Sequence, residues 1–584
     1  MVRTMAPPFV GSLAFGNAFG TTIPVVVQNG EAFADKNAKK ISACGVHLQR
    51  AALCVKKHPF CFLSRQTFVA CLLSFAAAGN IMAAETAPGN YFNVRNYGAV
   101  GDGTNLDSPA IDRAVAAAAA CGGGTVLVPA GTYLSGSIHL RSNIHLVIDS
   151  GATILGAPQT MEAYDLTEPW TNNPYQDGGH CYFHNSLIWG ENLTNVFITG
   201  NGTINGGGLV RSDGILDRMV GFNHPDRPVT NQAPPVRLGN KAIALKLCRN
   251  VLIRDLTIFH GGHFAILVTG CDNLTVDNVT MDTDRDGIDI DCCRNTMVSN
   301  CRINSPNDDG LCPKSTCALG ELRPTENLTI INCQVSGFEE GTLIDGTMKP
   351  SKNHNGRIKF GTESSGGFRN CSVANCTFRS CRGLALEEVD GGIMDNITIN
   401  NLTMMAVPDY AIYITTGKRN RTPNLAGISR GRNILISNVI ADGVGKMSGI
   451  QIVGLPGQPV EGVRLENIRL TCNGGGTMAD AAIVPKELGA GYPEPRKLGT
   501  LPAYGVFARH VKGLELANIT VNFITNDLRP AASFADIQGL EIDNFKPRVA
   551  QGVKAALFAD SAGRVTIRNS PALQDSVKEA VKRR

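Results

Sequence analysis

Seven segments of one pattern constrain what this chain can fold into: "RNVLIRDLTI", "DNLTVDNVTM", "RNTMVSNCRI", "ENLTIINCQV", "RNCSVANCTF", "DNITINNLTM" and "RNILISNVIA". Each runs Asn, a short alternating strand, a turn rich in Asn, Asp or Cys, and a second short strand. The leading Asn falls at 250, 273, 295, 327, 370, 396 and 433, so the tightest spacings are 22 and 23 residues. Strands this short cannot bury both faces within one repeat, and no 3.6-residue period between them supplies a crossover helix. Coiling the chain solves both problems, because each turn stacks its strands on those of the turn before. The predicted fold is therefore all-β: a single-stranded parallel β-helix with Val251, Ile253, Leu274 and Val276 pointing inward. Aligned Asn side chains are expected to form ladders at the bends.

Length alone, 584 residues, would suggest about four domains at roughly 150 residues each. The 64 glycines and the 6% aromatic content fit one long repetitive body better. The expected division is a leader of undefined structure over 1–60, a secretory signal peptide over 61–84, a β-helix over 91–570 and a tail over 571–584. The signal reading rests on Arg65 ahead of an apolar run, Phe68 to Ala78, with small residues at Ala83 and Ala84. That run is too short to span a bilayer, so the mature chain is expected to be secreted or periplasmic. Residues 1 to 84 hold eight Lys/Arg and two Asp/Glu; removing their +6 from the net +4 leaves −2, which implies neither nucleic acid nor a membrane surface as partner. A monomer is expected. "NLDSPAIDRAVAAAAACGGG" (105–124) reads as a helix with Asp107 or Ser108 as its cap, Pro109 in the first turn and glycines after its end, placed to plug the N-terminal end of the coil. Cys271, Cys301, Cys333 and Cys376 sit beside short strands and are expected to be free core thiols, and no cysteine spacing suggests zinc. The sequons at Asn192, Asn273 and Asn278 belong to the ladder pattern and are not read as glycan sites.

"DRDGIDIDCC" (284–293) and "NDDGLCPKS" (307–315) concentrate carboxylates one coil apart. Successive coils lie about 4.8 Å apart, so Asp286 and Asp308, 22 residues apart, are expected to be neighbours. Alternation sends Ile288 and Ile290 inward and Asp289 and Asp291 outward. Such acids suit general acid and base chemistry, and equally suit calcium or backbone hydrogen bonds.

At these residues the chain resembles the polygalacturonase-type enzymes, glycoside hydrolase family 28. "NYGAVGDGTNLDSPAIDRAV", "NVFITGNGTINGGG", the Asp-Gly-Ile-Asp of 286–289 and the Asp-Asp of 308 and 309 carry the likeness, in order, from about residue 92 to beyond 470. The resemblance implies a right-handed β-helix that hydrolyses pectic glycosidic bonds with inversion, no cofactor or metal, and Asp286, Asp308 and Asp309 as the catalytic set. It makes Asp309 the general acid, with Asp286 and Asp308 holding the water. An inverting pair is expected about 6.5–9.5 Å apart. The family's Gly-His-Gly and Arg-Ile-Lys are missing from their coils. Gly356 or Asn355 stands where the His should be, Ala385 and Glu387 stand in the basic triplet's place, and the Arg-Ile-Lys of 357–359 reads as a chance match one coil early. A Glu there cannot clamp a uronate carboxylate, which turns the expectation towards rhamnogalacturonan or another pectic linkage. Candidate substrate contacts are His263, Asp289, Lys314, Lys359, Glu363 and Glu387; His260 and Arg382 are also considered. Two further readings stay open, a calcium-dependent pectate-lyase elimination and a non-catalytic β-helix that binds polysaccharide. The insertions at 157–185, 205–242, 346–356 and 475–505 would, if they wall the groove, favour attack at chain ends.

Overall fold

A computed structural model of the chain describes residues 90–168, 178–211, 237–422 and 427–578. The expected leader and signal peptide, 1–60 and 61–84, lie outside them.

Parallel strands stack coil on coil. Three consecutive coils are Phe264–Thr269, Asp272–Asp277 and Thr280–Asp282; then Asp286–Asp291, Arg294–Ser299 and Arg302–Asn304; then Leu311–Lys314, Thr325–Ile331 and Gln334–Ser336. Register is kept across them, with Ile266 opposite Ile288 and Ile288 opposite Leu311. In the later coils two short strands fuse into one long bent strand, as in Phe368–Arg379 and Ile393–Met405. The parallel β-helix expected from the repeat is what the chain forms.

The bends explain the recurring Asn. Asn250, Asn273, Asn295, Asn327, Asn370, Asn396 and Asn433 all take φ between 54° and 59°, a left-handed conformation that Asn tolerates better than most residues. An amide side chain carries both a donor and an acceptor, so each can donate to the Asn one coil earlier. The chain of bonds runs from Asn433 back to Asn195 with Nδ2 to Oδ1 distances of 2.9–3.5 Å. A second row at the next bend links Asn401, Asn375, Asn332 and Asn300 at 3.1–3.3 Å. Asn273 lies in the first row, and Asn278 donates to Asp255 at 2.8 Å.

Inside the coil, Val251, Ile253, Leu274, Val276, Ile288 and Ile290 are buried together. The helix Ser108–Ala120 closes the N-terminal end, burying Ile111, Ala114, Val115 and Ala118 in the same core. Its cap differs from expectation. Asp107 occupies the cap position without a side-chain bond to the helix, because its carboxylate instead accepts from the backbone N–H groups of Val100 and Gly101 at 2.7 and 3.0 Å. At the other end the strand Ser576–Lys578 folds back antiparallel on Val565–Ile567, so a strand lies within the segment expected to be a tail. Among the described residues no helix is long and apolar enough to cross a membrane.

The 14 described cysteines are free thiols, 12 of them buried. Cys301, Cys333 and Cys376 each donate to the carbonyl two residues back, at 3.2–3.4 Å, which satisfies the thiol inside the coil.

Asn295→Ala should lower unfolding stability by about 2 kcal/mol, from two lost ladder bonds and a strained bend, and Asn295→Gly by about half that, in denaturant titrations. Equal losses would show that the bend conformation is not what Asn295 provides. Thiol titration of the denatured chain beginning at Glu85 should return 14 thiols without reductant; a lower count would mean disulfides.

Candidate active site

Asp286 opens the strand Asp286–Asp291, and the turn before Leu311–Lys314 carries Asp308 and Asp309. The backbone N–H of Gly287 donates to the Asp309 carbonyl at 3.0 Å. The coils approach so closely here that a Cβ on Gly287 would sit 2.3 Å from the Gly310 carbonyl oxygen. This contact gathers Asp286, Asp308 and Asp309, whose nearest carboxylate oxygens lie within 4.8 Å of one another. The three expected acids are thus together, closer than the expected separation of an inverting pair.

Their environments differ sharply. Asp286 is 4% exposed, and its Oδ1 has no hydrogen-bond partner. Burial, then the charges of Asp308 and Asp289, push its carboxyl well above the usual range, against the pull of Lys314. Asp309 is equally buried, but Arg357 Nε donates to Oδ1 at 2.7 Å and Lys359 Nζ contacts Oδ2 at 2.6 Å. Burial opposes ionisation there, and the two cations overcome it and hold the carboxylate well below its ordinary range. Asp308 is the accessible member, with its side chain 26% exposed and paired with Arg285 at 2.8 Å. Asp286 and Asp309 are thus pushed in opposite directions by their surroundings.

The Arg-Ile-Lys of 357–359 is on the coil after the Asp pair, as the sequence indicated, and two of its side chains face the acids. Arg357 and Lys359 alternate onto one face and both grip Asp309. Beyond them Arg357 also bonds the Tyr410 hydroxyl and reaches Glu494 at 3.1 Å, while Arg382 bonds the same Glu494 at 3.2 Å. Arg382 pairs with Asp409 at 2.9 Å as well, and not with Glu387.

The other expected contacts form a buried network beside the acids. Lys314 pairs with Glu363 at 3.0 Å and Asp289 at 3.6 Å. His180 Nε2 meets Asp289 Oδ2 at 2.9 Å, and Arg419 joins Glu363 to Asp390. Lys314 and Glu363, expected as separate substrate contacts, are each other's partners. Asp289, expected to face outward, is covered, because the segment around His180 lies over it. Asp291 is similarly enclosed, accepting from the Thr316 N–H and hydroxyl at 2.7 Å. His263 is 1% exposed with its ring edge-on to Phe264. His260 pairs with Glu340 at 2.9 Å. Glu387 is buried one coil beyond Lys359, accepting from the Thr362 hydroxyl at 3.2 Å.

Sequence reasoning missed Arg357, whose two-residue spacing from Lys359 was legible, and His180, Tyr492 and Glu494, which come from the insertions at 157–185 and 475–505. No local pattern marks those three, since their partners lie on distant coils.

With this geometry in view, the comparisons with known proteins can be placed. Residues 91–312 match the family model described as rhamnogalacturonase A/epimerase, pectate lyase-like, and residues 241–426 match the right-handed β-helix region. A probable polygalacturonase of Vitis vinifera is 24% identical over 397 residues, covering 64% of this chain and 73% of that protein. A mannuronan C5-epimerase of Azotobacter vinelandii is 42% identical over 82 residues, 14% of this chain and 4% of that protein. The crystal structure of an exopolygalacturonase from Thermotoga maritima superposes with a TM-score of 0.57 at 22% identity, covering 74% of this chain and 91% of that one. The class is therefore a right-handed parallel β-helix of the pectate-lyase-like kind. Within it, the matches support a family like glycoside hydrolase family 28, at low identity.

Because burial raises the Asp286 carboxyl, ionisation of the unfolded chain above its own carboxyl range costs the folded state stability as pH rises. Asp286→Asn removes that cost. The variant should melt at about the wild-type temperature near pH 4 and above it near pH 7. A variant less stable at pH 7 would show that Asp286 is ionised in the fold.

Proposed function

We propose that the protein is a secreted glycoside hydrolase that cleaves a pectic polysaccharide or oligosaccharide, of galacturonan or rhamnogalacturonan type, with Asp286, Asp308 and Asp309. The observation that carries the reading is that two buried carboxyls within 4.8 Å on adjoining coils sit in opposed surroundings, Asp286 with Oδ1 unpartnered and Asp309 gripped by Arg357 and Lys359, which is the contrast that acid and base catalysis uses. The β-helix and the polygalacturonase relatives support the same substrate class.

In this reading Asp286 gives its proton to the glycosidic oxygen as the bond from C1 breaks. Asp309, aided by Asp308, takes a proton from the water whose oxygen bonds to C1. The electrostatics favour this assignment over Asp309 as acid. Both oxygens of Asp309 are engaged, by Arg357 and Lys359, so it is better placed to hold a water than to attack C1 itself. That favours inversion although the carboxylates lie closer than is usual for inverting pairs. His180 over Asp289 and Glu494 over Arg357 and Arg382 bring both long insertions to the site, which favours binding a chain end.

The chain from Glu85 should release saturated reducing ends from homogalacturonan or rhamnogalacturonan, with EDTA without effect and the opposite anomer formed first by NMR. Asp286→Asn and Asp309→Asn should each lose about 10²–10⁴-fold in kcat. On an aryl glycoside with an activated leaving group, Asp286→Asn should recover most of its rate and Asp309→Asn should not. Recovery by the other variant would return the acid role to Asp309. Unsaturated, EDTA-sensitive products would overturn hydrolysis in favour of calcium-assisted elimination, and no product from any pectic chain would favour a binding β-helix.

A further inference from the structure

Glu387 lies two coils beyond Asp308 and Asp309, in the strand Leu384–Glu388, which pairs with Lys359 and Phe360 through Ala385 and Leu386. Its side chain is 1% exposed. Oε2 accepts from the Thr362 hydroxyl, and Oε1 has no hydrogen-bond partner. Tyr492, carried in by the 475–505 insertion, brings its hydroxyl to 2.9 Å from the same Thr362 oxygen. Three oxygen-bearing groups thus converge, and one buried acceptor is left open. The flanking cations are already engaged, since Arg357 and Lys359 both hold Asp309. Glu494 adds further negative charge on the far side of Arg357.

A ligand group reaching Oε1 therefore meets a carboxyl and two hydroxyls, while Arg421 and Lys497 stand over the Tyr492 ring, 5.9 and 5.2 Å from its centroid. A uronate carboxylate brings only acceptors and a charge that Glu494, and Glu387 when ionised, would repel. A sugar hydroxyl both donates and accepts, so it fits Glu387 in either protonation state. Burial raises the Glu387 carboxyl above its ordinary range, with Lys359 and Arg357 opposing, which also allows it to donate.

We infer that Glu387, with Thr362 and Tyr492, forms a hydroxyl-reading subsite two coils beyond Asp309 that selects a neutral sugar over a uronate at that position. The inference rests on the pectic-hydrolase reading and deepens it.

Binding is the cleaner test, because it does not depend on turnover. In the full mature chain carrying Asp308→Asn, calorimetry should give about tenfold or more tighter binding of a rhamnogalacturonan oligosaccharide than of an oligogalacturonate of equal length. Adding Glu387→Gln, which keeps a donor and an acceptor, should hold that ratio within about threefold, whereas Glu387→Lys should reverse it. Equal or tighter binding of the oligogalacturonate with Glu387 in place, or a ratio unmoved by Glu387→Lys, would overturn the subsite while leaving the hydrolase intact. Binding of neither oligosaccharide would overturn the hydrolase reading and this one with it.

Discussion

The side-chain amide row at the first bend is the interaction on which the architecture depends. A parallel coil needs the chain to turn the same corner at the same height every time, and an Asn at φ near +55° does so while handing a hydrogen bond to its equivalent below. One such bond is worth only about 1 kcal/mol, but the row fixes register, and register decides which side chains face in. A slip of one residue would turn Ile288 and Ile290 outward and bring Asp289 and Asp291 into the core. The acids are therefore held in position by amides on another side of the coil.

Given that frame, charge placement does the rest. Two carboxylates of similar burial, Asp286 and Asp309, are driven in opposite directions because Arg357 and Lys359 project from the coil beneath Asp309 and not beneath Asp286. The lever is two cations at alternate positions of one strand. Lys314 plays a different part: pinned between Glu363 and Asp289, it keeps a buried acidic row neutralised so that the coils can stack there at all.

Much of this was legible in the sequence because a coil converts spacing into distance. The Asn period gave the β-helix, the 22-residue offset gave the proximity of Asp286 to Asp308, and the alternation of Ile288 and Ile290 gave the inward face. The cysteines followed from their strand-edge positions. What could not be read was anything that leaves the coil. Asp289 and Asp291 point outward from the strand as alternation requires, yet both are covered, Asp289 by His180 from an insertion and Asp291 by Thr316 on the next coil. Lys314 and Glu363 were recognisable as charged neighbours of the site, but their mutual pairing depends on a backbone path of 49 residues that does not follow the repeat. Arg357 was set aside because family spacing was weighed above strand alternation, which would have put it beside Lys359.

Coil contacts mostly join residues about 22 to 50 positions apart, whereas Arg357 and Glu494 are separated by 137. A solenoid can grow from its N-terminal plug by adding one neighbour at a time, so the acids are enclosed between coils well before the segment carrying Tyr492 and Glu494 exists to close over them. During synthesis the chain thus passes through a stage in which the catalytic carboxylates are assembled but their outer wall is not. The last part of the site to form is also the part most free to vary without disturbing the coil. An insertion of this kind lets recognition change while the amide rows and the acid row stay as they are.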